Sequence, residues 1–104
     1  MKSSVASNWN AALLVCRKCS KRQGGGFGPK GKTGLAKALK RETGAKKSRK
    51  SSLGVVEVDC LGICPKHGVV LVDSRDTHNW RLVRPGTDIE ALVEELALPL
   101  DDQA

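Results

Sequence analysis

Two apolar runs in this chain each lead into a cysteine pair, and this repeated pairing restricts the fold more than any other feature. Ala11-Ala12-Leu13-Leu14-Val15 leads into Cys16-Arg17-Lys18-Cys19, and Val55-Val56-Glu57-Val58-Asp59 leads into Cys60-Leu61-Gly62-Ile63-Cys64. A short continuous apolar run that stops at a polar loop reads as a buried strand. Residues 11–16 fit that description, and residues 55–60 read as a second strand with partial alternation. Each strand therefore delivers two thiols at its carboxyl end.

The elements between and beyond the pairs set how the strands meet. Residues 17–34 are expected to be a loop, since Gln23-Gly24-Gly25-Gly26-Phe27-Gly28-Pro29-Lys30-Gly31-Lys32 is too rich in glycine to pack regularly. A helix of about ten residues follows, with Thr33 as N-cap, Leu35, Ala36, Ala38 and Leu39 as its apolar stripe, and Gly44 as C-cap. Ala45 to Ser52 is a basic connector. Val69–Val72 and Trp80–Val83 are two further strands, joined into an antiparallel hairpin by Asp73-Ser74-Arg75-Asp76-Thr77-His78-Asn79. After Pro85-Gly86, Thr87-Asp88-Ile89-Glu90 has the form of a capping box, and Ile89, Leu92, Val93 and Leu96 share one face of a closing helix that ends before Pro99.

The order β-α-β-β-β-α predicts a small mixed sheet flanked by helices, an α/β fold of thioredoxin-like type. A strand, a crossover helix and a second strand pair in parallel. Cys16 and Cys60 then fall at the same end of the sheet, where open α/β folds build their sites. At 104 residues the chain is expected to be one domain, with a flexible N-terminus over 1–10, a core over 11–97 and a tail over 98–104.

Composition narrows the functional classes. Charged residues make up 28% and hydrophobic residues 39%, which excludes wholesale disorder. No stretch approaches the ~20 apolar residues that cross a bilayer, and the N-terminal ten residues lack the apolar core of a signal peptide. A cytoplasmic location is expected, where thiols stay reduced and metal binding or redox chemistry outranks structural disulfides. Aromatic residues make up only 3%, too few for a stacking platform on single-stranded nucleic acid.

The net charge of +7 is unevenly spread. Residues 1–50 hold fourteen Lys/Arg against Glu42 alone, a net +13, whereas residues 51–104 hold four Lys/Arg and ten acids, a net −6. The basic half either attracts an acidic partner or is a solvated face. Within its tract of Lys30, Lys32, Lys37, Lys40, Arg41, Lys46, Lys47, Arg49 and Lys50, only Phe27 could stack on a base. Nucleic-acid binding through phosphates is thus a contrasting reading.

Four thiols at one end of a sheet suit either a structural zinc or an iron–sulfur cluster. Zinc sites commonly use two-residue gaps in both pairs and a shorter intervening segment, so the three-residue second gap departs from that pattern. His67 near the second pair is either a zinc ligand or a solvated loop residue. A thiol–disulfide oxidoreductase would place its Cys-x-x-Cys at a helix N-terminus, where the dipole lowers a thiol pKa. Here the first expected helix starts some fourteen residues after Cys19, although Arg17 and Lys18 could also depress a thiol. The plainest alternative is four buried cysteines acting as small hydrophobes. No Ser/His/Asp set or carboxylate pair suggests bond-breaking catalysis.

The stretch Val58-Asp59-Cys60-Leu61-Gly62-Ile63-Cys64-Pro65, followed by Gly68-Val69-Val70-Leu71-Val72, resembles the second half of the thioredoxin-like [2Fe–2S] ferredoxins. That family includes the small cluster-bearing subunit of respiratory NADH dehydrogenases. The strand end at Leu13–Cys16, the helix around Leu35–Leu39 and the closing helix to Leu96 are similar too, so the resemblance spans roughly residues 11–97. It implies a one-electron carrier and not an enzyme. Cys16 and Cys19 would hold one iron of a [2Fe–2S] cluster, and Cys60 and Cys64 the other. It also implies a possible homodimer. Lys18, Lys21 and Lys66 lie beside the cysteines in sequence, and they either raise the potential and steer an acidic redox partner or only solubilise the rim. The chain departs from the family in its shorter first gap, and in a glycine-rich loop that follows Cys19 where the family has it between the first two cysteines.

Overall fold

The computed structural model describes residues 3–46, 49–63 and 65–98. Its elements are β1 (Ala11–Cys16), α1 (Arg17–Arg22), α2 (Leu35–Thr43), β2 (Leu53–Val58), β3 (Val69–Asp73), β4 (Asp76–Val83) and α3 (Ile89–Leu96). The four strands form one mixed sheet in the order β2-β1-β3-β4. β1 lies inside it, parallel to β2 and antiparallel to β3, and β3 pairs antiparallel with β4. The small α/β class expected from the sequence is therefore present, with three helices in place of two.

The core forms where α2 and α3, packed on each other, cover the sheet. Leu13, Val15, Leu39, Leu53, Val69 and Leu71 are almost wholly buried there. Truncating any one of the leucines to Ala should cost about 2–5 kcal/mol, the lost transfer energy plus the cavity left behind. Phe27 joins this core at 1% exposure, so it offers no stacking surface to a base.

Several local expectations are corrected. Residues 17–22 are helical, and α1 starts directly from β1 with Cys16 as its N-cap. Ser20 Oγ donates to the Cys16 carbonyl (3.2 Å), and Lys21 and Arg22 in the last turn suit the negative end of the helix. The glycine-rich segment is also ordered. Phe27 bridges Thr33, and Gly25 sits with φ +87° where a Cβ would lie 2.3 Å from the Lys32 carbonyl oxygen. Glycine there permits a close backbone approach that no other residue allows. Thr33 is occupied by this bridge, so Gly34, and not Thr33, caps α2, with no side-chain acceptor. Gly44 ends α2 in the left-handed conformation, as expected.

β2 covers residues 53–58 and not 55–60, because its register with β1 closes at Cys16 opposite Val58. The Asp59 carbonyl turns instead to the Lys18 N–H (3.2 Å), which places Cys60 in the loop beyond the strand. The hairpin turn shrinks to Ser74-Arg75, and β4 is twice the expected length. Asp73 drives this: its carboxylate accepts from the Arg75 N–H (2.9 Å) and takes Nη2 at 2.8 Å. The hydrogen bonds from Arg75 hold that carboxyl below the usual range against the opposing effect of burial. The same guanidinium donates to the carbonyls of Leu96 and Ala97, the uncovered end of α3. At the other end of α3, Asp88 accepts from the Glu90 N–H (3.1 Å), so it is the cap that the Thr87 box assigned elsewhere. Thr87 Oγ donates to the Arg84 carbonyl.

The segment before β1 is tied to the connector. The Asn8 and Asn10 N–H groups donate to the carbonyls of Arg49 and Ser52, both at 2.7 Å. Trp9 packs its ring on Gly54, where an added Cβ would meet the ring at 2.4 Å. Pro99 and the tail beyond it lie outside the described residues. No described helix is long and apolar enough to cross a membrane.

Candidate functional site

β1 and β2 run parallel and stop at the same level, so everything that follows them gathers at one end of the sheet. Cys16 is the last residue of β1 and the N-cap of α1, and Cys19 lies in the first turn of α1. Both are buried, at 0% and 3% exposure, while Cys60 is exposed on the loop after β2. Cys64 lies outside the described residues.

The loop carrying Cys60 is laid along α1 from end to end. The Arg17 guanidinium bonds the Asp59 carboxylate, and the Lys18 N–H donates to the Asp59 carbonyl. The Cys16 thiol lies 3.9 Å from that same carbonyl, and the Cys19 thiol lies 3.8 Å from the Ile63 carbonyl. Past the helix, Gln23 Nε2 donates to the Lys66 carbonyl at 3.0 Å. Asp59 and Ile63 bracket Cys60, so the backbone on both sides of Cys60 touches the first cysteine pair.

The Cys16 sulfur sits among hydrogen-bond donors. Burial pushes its thiol pKa up, but hydrogen bonds from the Cys19 N–H and thiol, with those of the Leu61 and Lys18 N–H groups, outweigh it and hold the pKa below the ordinary value. Backbone donors converging on one sulfur stabilise its anion without adding a neighbouring charge. Cys60 has a simpler setting, in which the Gly62 N–H donates to its sulfur at 3.3 Å. Gly62, in the three-residue gap, adopts φ +89°, a bend that glycine makes without a Cβ penalty.

Among the described residues, no group of three or more His, Cys, Asp or Glu side chains is placed to hold a metal ion. The structure therefore brings Cys16 and Cys19 together and leaves the Cys60 side chain outside their cluster. His67 is exposed in the turn after Pro65. The expectation that α1 was absent, and with it the argument against a helix-mounted Cys-x-x-Cys, does not hold. The sequence signal that was missed is Ser20-Lys21-Arg22, polar and basic residues that favour the end of a short helix. The pairing of Arg17 with Asp59 and of Gln23 with Lys66 has no local signature, because 42 or 43 residues separate the partners.

No protein-family model, curated protein or solved structure matches this chain.

Proposed function

We propose that this chain is a one-electron carrier that holds a [2Fe–2S] cluster through Cys16, Cys19, Cys60 and Cys64, on a thioredoxin-like scaffold. The observation that carries the reading is the contact of the Asp59–Ile63 backbone with both sulfurs of the first pair. It brings the segment bearing the second pair to the first pair. The donor chemistry fits, since soft thiolates are the usual ligands of such clusters. The strand order β2-β1-β3-β4, with only β1 and β2 parallel, supports the thioredoxin-like assignment.

When bound, the cluster supplies a one-electron redox couple. The chain's own residues set the surroundings. The N–H groups of Lys18, Cys19, Leu61 and Gly62 point hydrogen bonds at ligand sulfurs, which stabilises added negative charge and raises the potential. Burial of Cys16 and Cys19 keeps water from one side, while the exposed Cys60 loop faces solvent. Lys18, Lys21 and Lys66, beside the cysteines in sequence, are all exposed.

Protein purified without oxygen should be coloured, with iron and acid-labile sulfide in equal amounts. Colourless protein containing zinc, or no metal, rejects the proposal in favour of the zinc-binding reading or of bare thiols.

A second reading has its own support. A Cys-x-x-Cys whose first cysteine stands at the N-cap position of a helix and has its thiol pKa lowered is also the arrangement of a dithiol redox centre. Insulin reduction by the metal-free, reduced protein tests it. Turnover without iron favours the dithiol function, and its absence in a coloured preparation favours the carrier.

A further inference from the structure

The proposed carrier function uses the cysteines and the cations beside them, but it leaves a second basic surface unexplained. Pro29, Lys30, Lys32, Gly34, Lys37 and Arg41 line an open hollow of about 430 Å³ between the glycine-rich segment and α2. Its four cationic residues are all exposed, and none takes part in an ion pair among the described residues. No acid lines the hollow.

Holding these charges together is locally unfavourable. Lys37 and Arg41 are four residues apart on α2, the spacing at which like charges repel on a helix surface. The first turn of α2 contains no acid, and Lys37 sits near the positive end of the helix dipole. Arg41, in the last turn of α2, suits the negative end of that dipole, but among the residues lining the hollow no acid offsets Lys30, Lys32 or Lys37. Conflicts of this kind, in which local electrostatics oppose the structure, are expected where a surface serves a partner.

The glycine-rich segment on one side of the hollow is anchored at the cysteine end of the molecule. The Gly86 N–H donates to the Gly26 carbonyl at 2.7 Å, and Pro85 packs on Gly26. Pro85 and Gly86 follow directly on β4, whose last residue, Val83, pairs with Val69 at the start of β3. That level of the sheet is the one where β1 and β2 end, since β3 runs antiparallel to β1.

We infer that this hollow is the docking surface for an acidic segment of a partner protein, which it seats beside the opening over the cysteines. The electron-transfer purpose of that docking rests on the cluster reading. The docking itself rests on charge and position. An acidic protein face is favoured over nucleic acid by two observations. The hollow is one compact depression and not a track along a phosphate chain, and its nearest aromatic residue, Phe27, is buried in the core. Electrostatic docking also suits an electron carrier, whose complexes are small, weak and fast to form.

The test compares two variants with the same loss of charge. One carries Lys32→Gln, Lys37→Gln and Arg41→Gln, and the control carries Lys46→Gln, Arg49→Gln and Lys50→Gln. Binding of a fluorescent poly-L-glutamate peptide and of an oligothymidylate of matched charge is measured at low salt, on anaerobically prepared and on metal-free protein. The first variant should lose affinity for poly-L-glutamate by roughly tenfold or more, and the control by less than about twofold. Circular dichroism and iron content should match the parent in both. Equal losses in the two variants overturn the docking site, because only total charge then matters. Tighter binding of the oligothymidylate than of the peptide, lost in the first variant, overturns it in favour of a nucleic-acid surface. Selective peptide binding by the anaerobically purified parent, if that preparation contains no iron, overturns the cluster reading and leaves the docking surface standing.

Discussion

The two cysteine segments occupy one end of the same sheet, yet they are built in different ways. Cys16 and Cys19 are held where a strand becomes a helix, buried, and hydrogen-bonded by the backbone. Cys60 is exposed on a loop whose internal support is the Gly62 N–H. The first segment is preorganised by the fold. The second gains its position chiefly from contacts with the first, through Asp59 and Ile63. A site built this way is half rigid and half adaptable, so its two halves should respond differently to the same chemical change.

The largest expected effect separates ligand from structure. Cys60→Ser should abolish most of the visible absorbance of anaerobically purified protein while leaving the melting temperature of the metal-free chain unchanged. Cys16→Ser should also bleach the protein, and in addition destabilise the metal-free chain by about 1–3 kcal/mol, because it puts a hydroxyl at a fully buried site. Chemical denaturation of the two apo variants measures the contrast, and equal stabilities would remove it. Cys64→Ser should bleach the protein as Cys60→Ser does.

Glycine substitutions probe the same difference. Gly25→Ala combines a positive φ with a Cβ only 2.3 Å from the Lys32 carbonyl oxygen, and should cost about 2–4 kcal/mol. Gly62→Ala has the positive φ but no atom within 4 Å of the added carbon, so about 1–2 kcal/mol is expected. The ordering, read from urea midpoints, matters more than either value.

The titration of Cys16 sharpens the comparison further. Its folded pKa is lowered, so linkage adds stability above the unfolded thiol value of about 8.5 and removes it as pH falls through the folded value. The stability gap between reduced, metal-free parent and Cys16→Ala should therefore widen as pH rises from neutral towards that range. A gap that narrows instead would mean that the burial penalty wins over the hydrogen bonds.

The smallest effect belongs to the Arg17–Asp59 bridge. Its side chains are 47% and 82% exposed, so Arg17→Ala should change apo stability by no more than about 1 kcal/mol, and less at high salt. A larger loss would show that the loop depends on the bridge and not on the backbone contacts beside it.

Much of this arrangement is legible in the sequence. The run Ala11–Val15 and the valines of β2 and β3 announce buried strands by composition alone, and the stripe of Leu35, Ala36, Ala38 and Leu39 marks α2 with its Gly44 end. What escaped notice depends on distant partners. α1 is too short to show periodicity, and it is secured by Asp59 and Lys66, more than forty residues away. The tight turn at Ser74-Arg75 was hidden because its polar residues look like a long loop until Asp73 and the end of α3 are seen to hold Arg75. Phe27 looked like a surface aromatic because its neighbours are glycine and lysine, yet the bridge to Thr33 turns it into the core. The clustering of Cys16 with Cys19 was readable from spacing, whereas the ring of N–H donors around Cys16 required the loop to be folded over it.

The Arg75 rivet has a practical consequence for anyone wiring this molecule to a surface. It fastens the hairpin tip to the last carbonyls of α3 at the far end of β1, about 20 Å from the thiols by strand length. A linker attached near that tip would grip a stiff corner and leave the cysteine opening turned outward, free to meet whatever approaches.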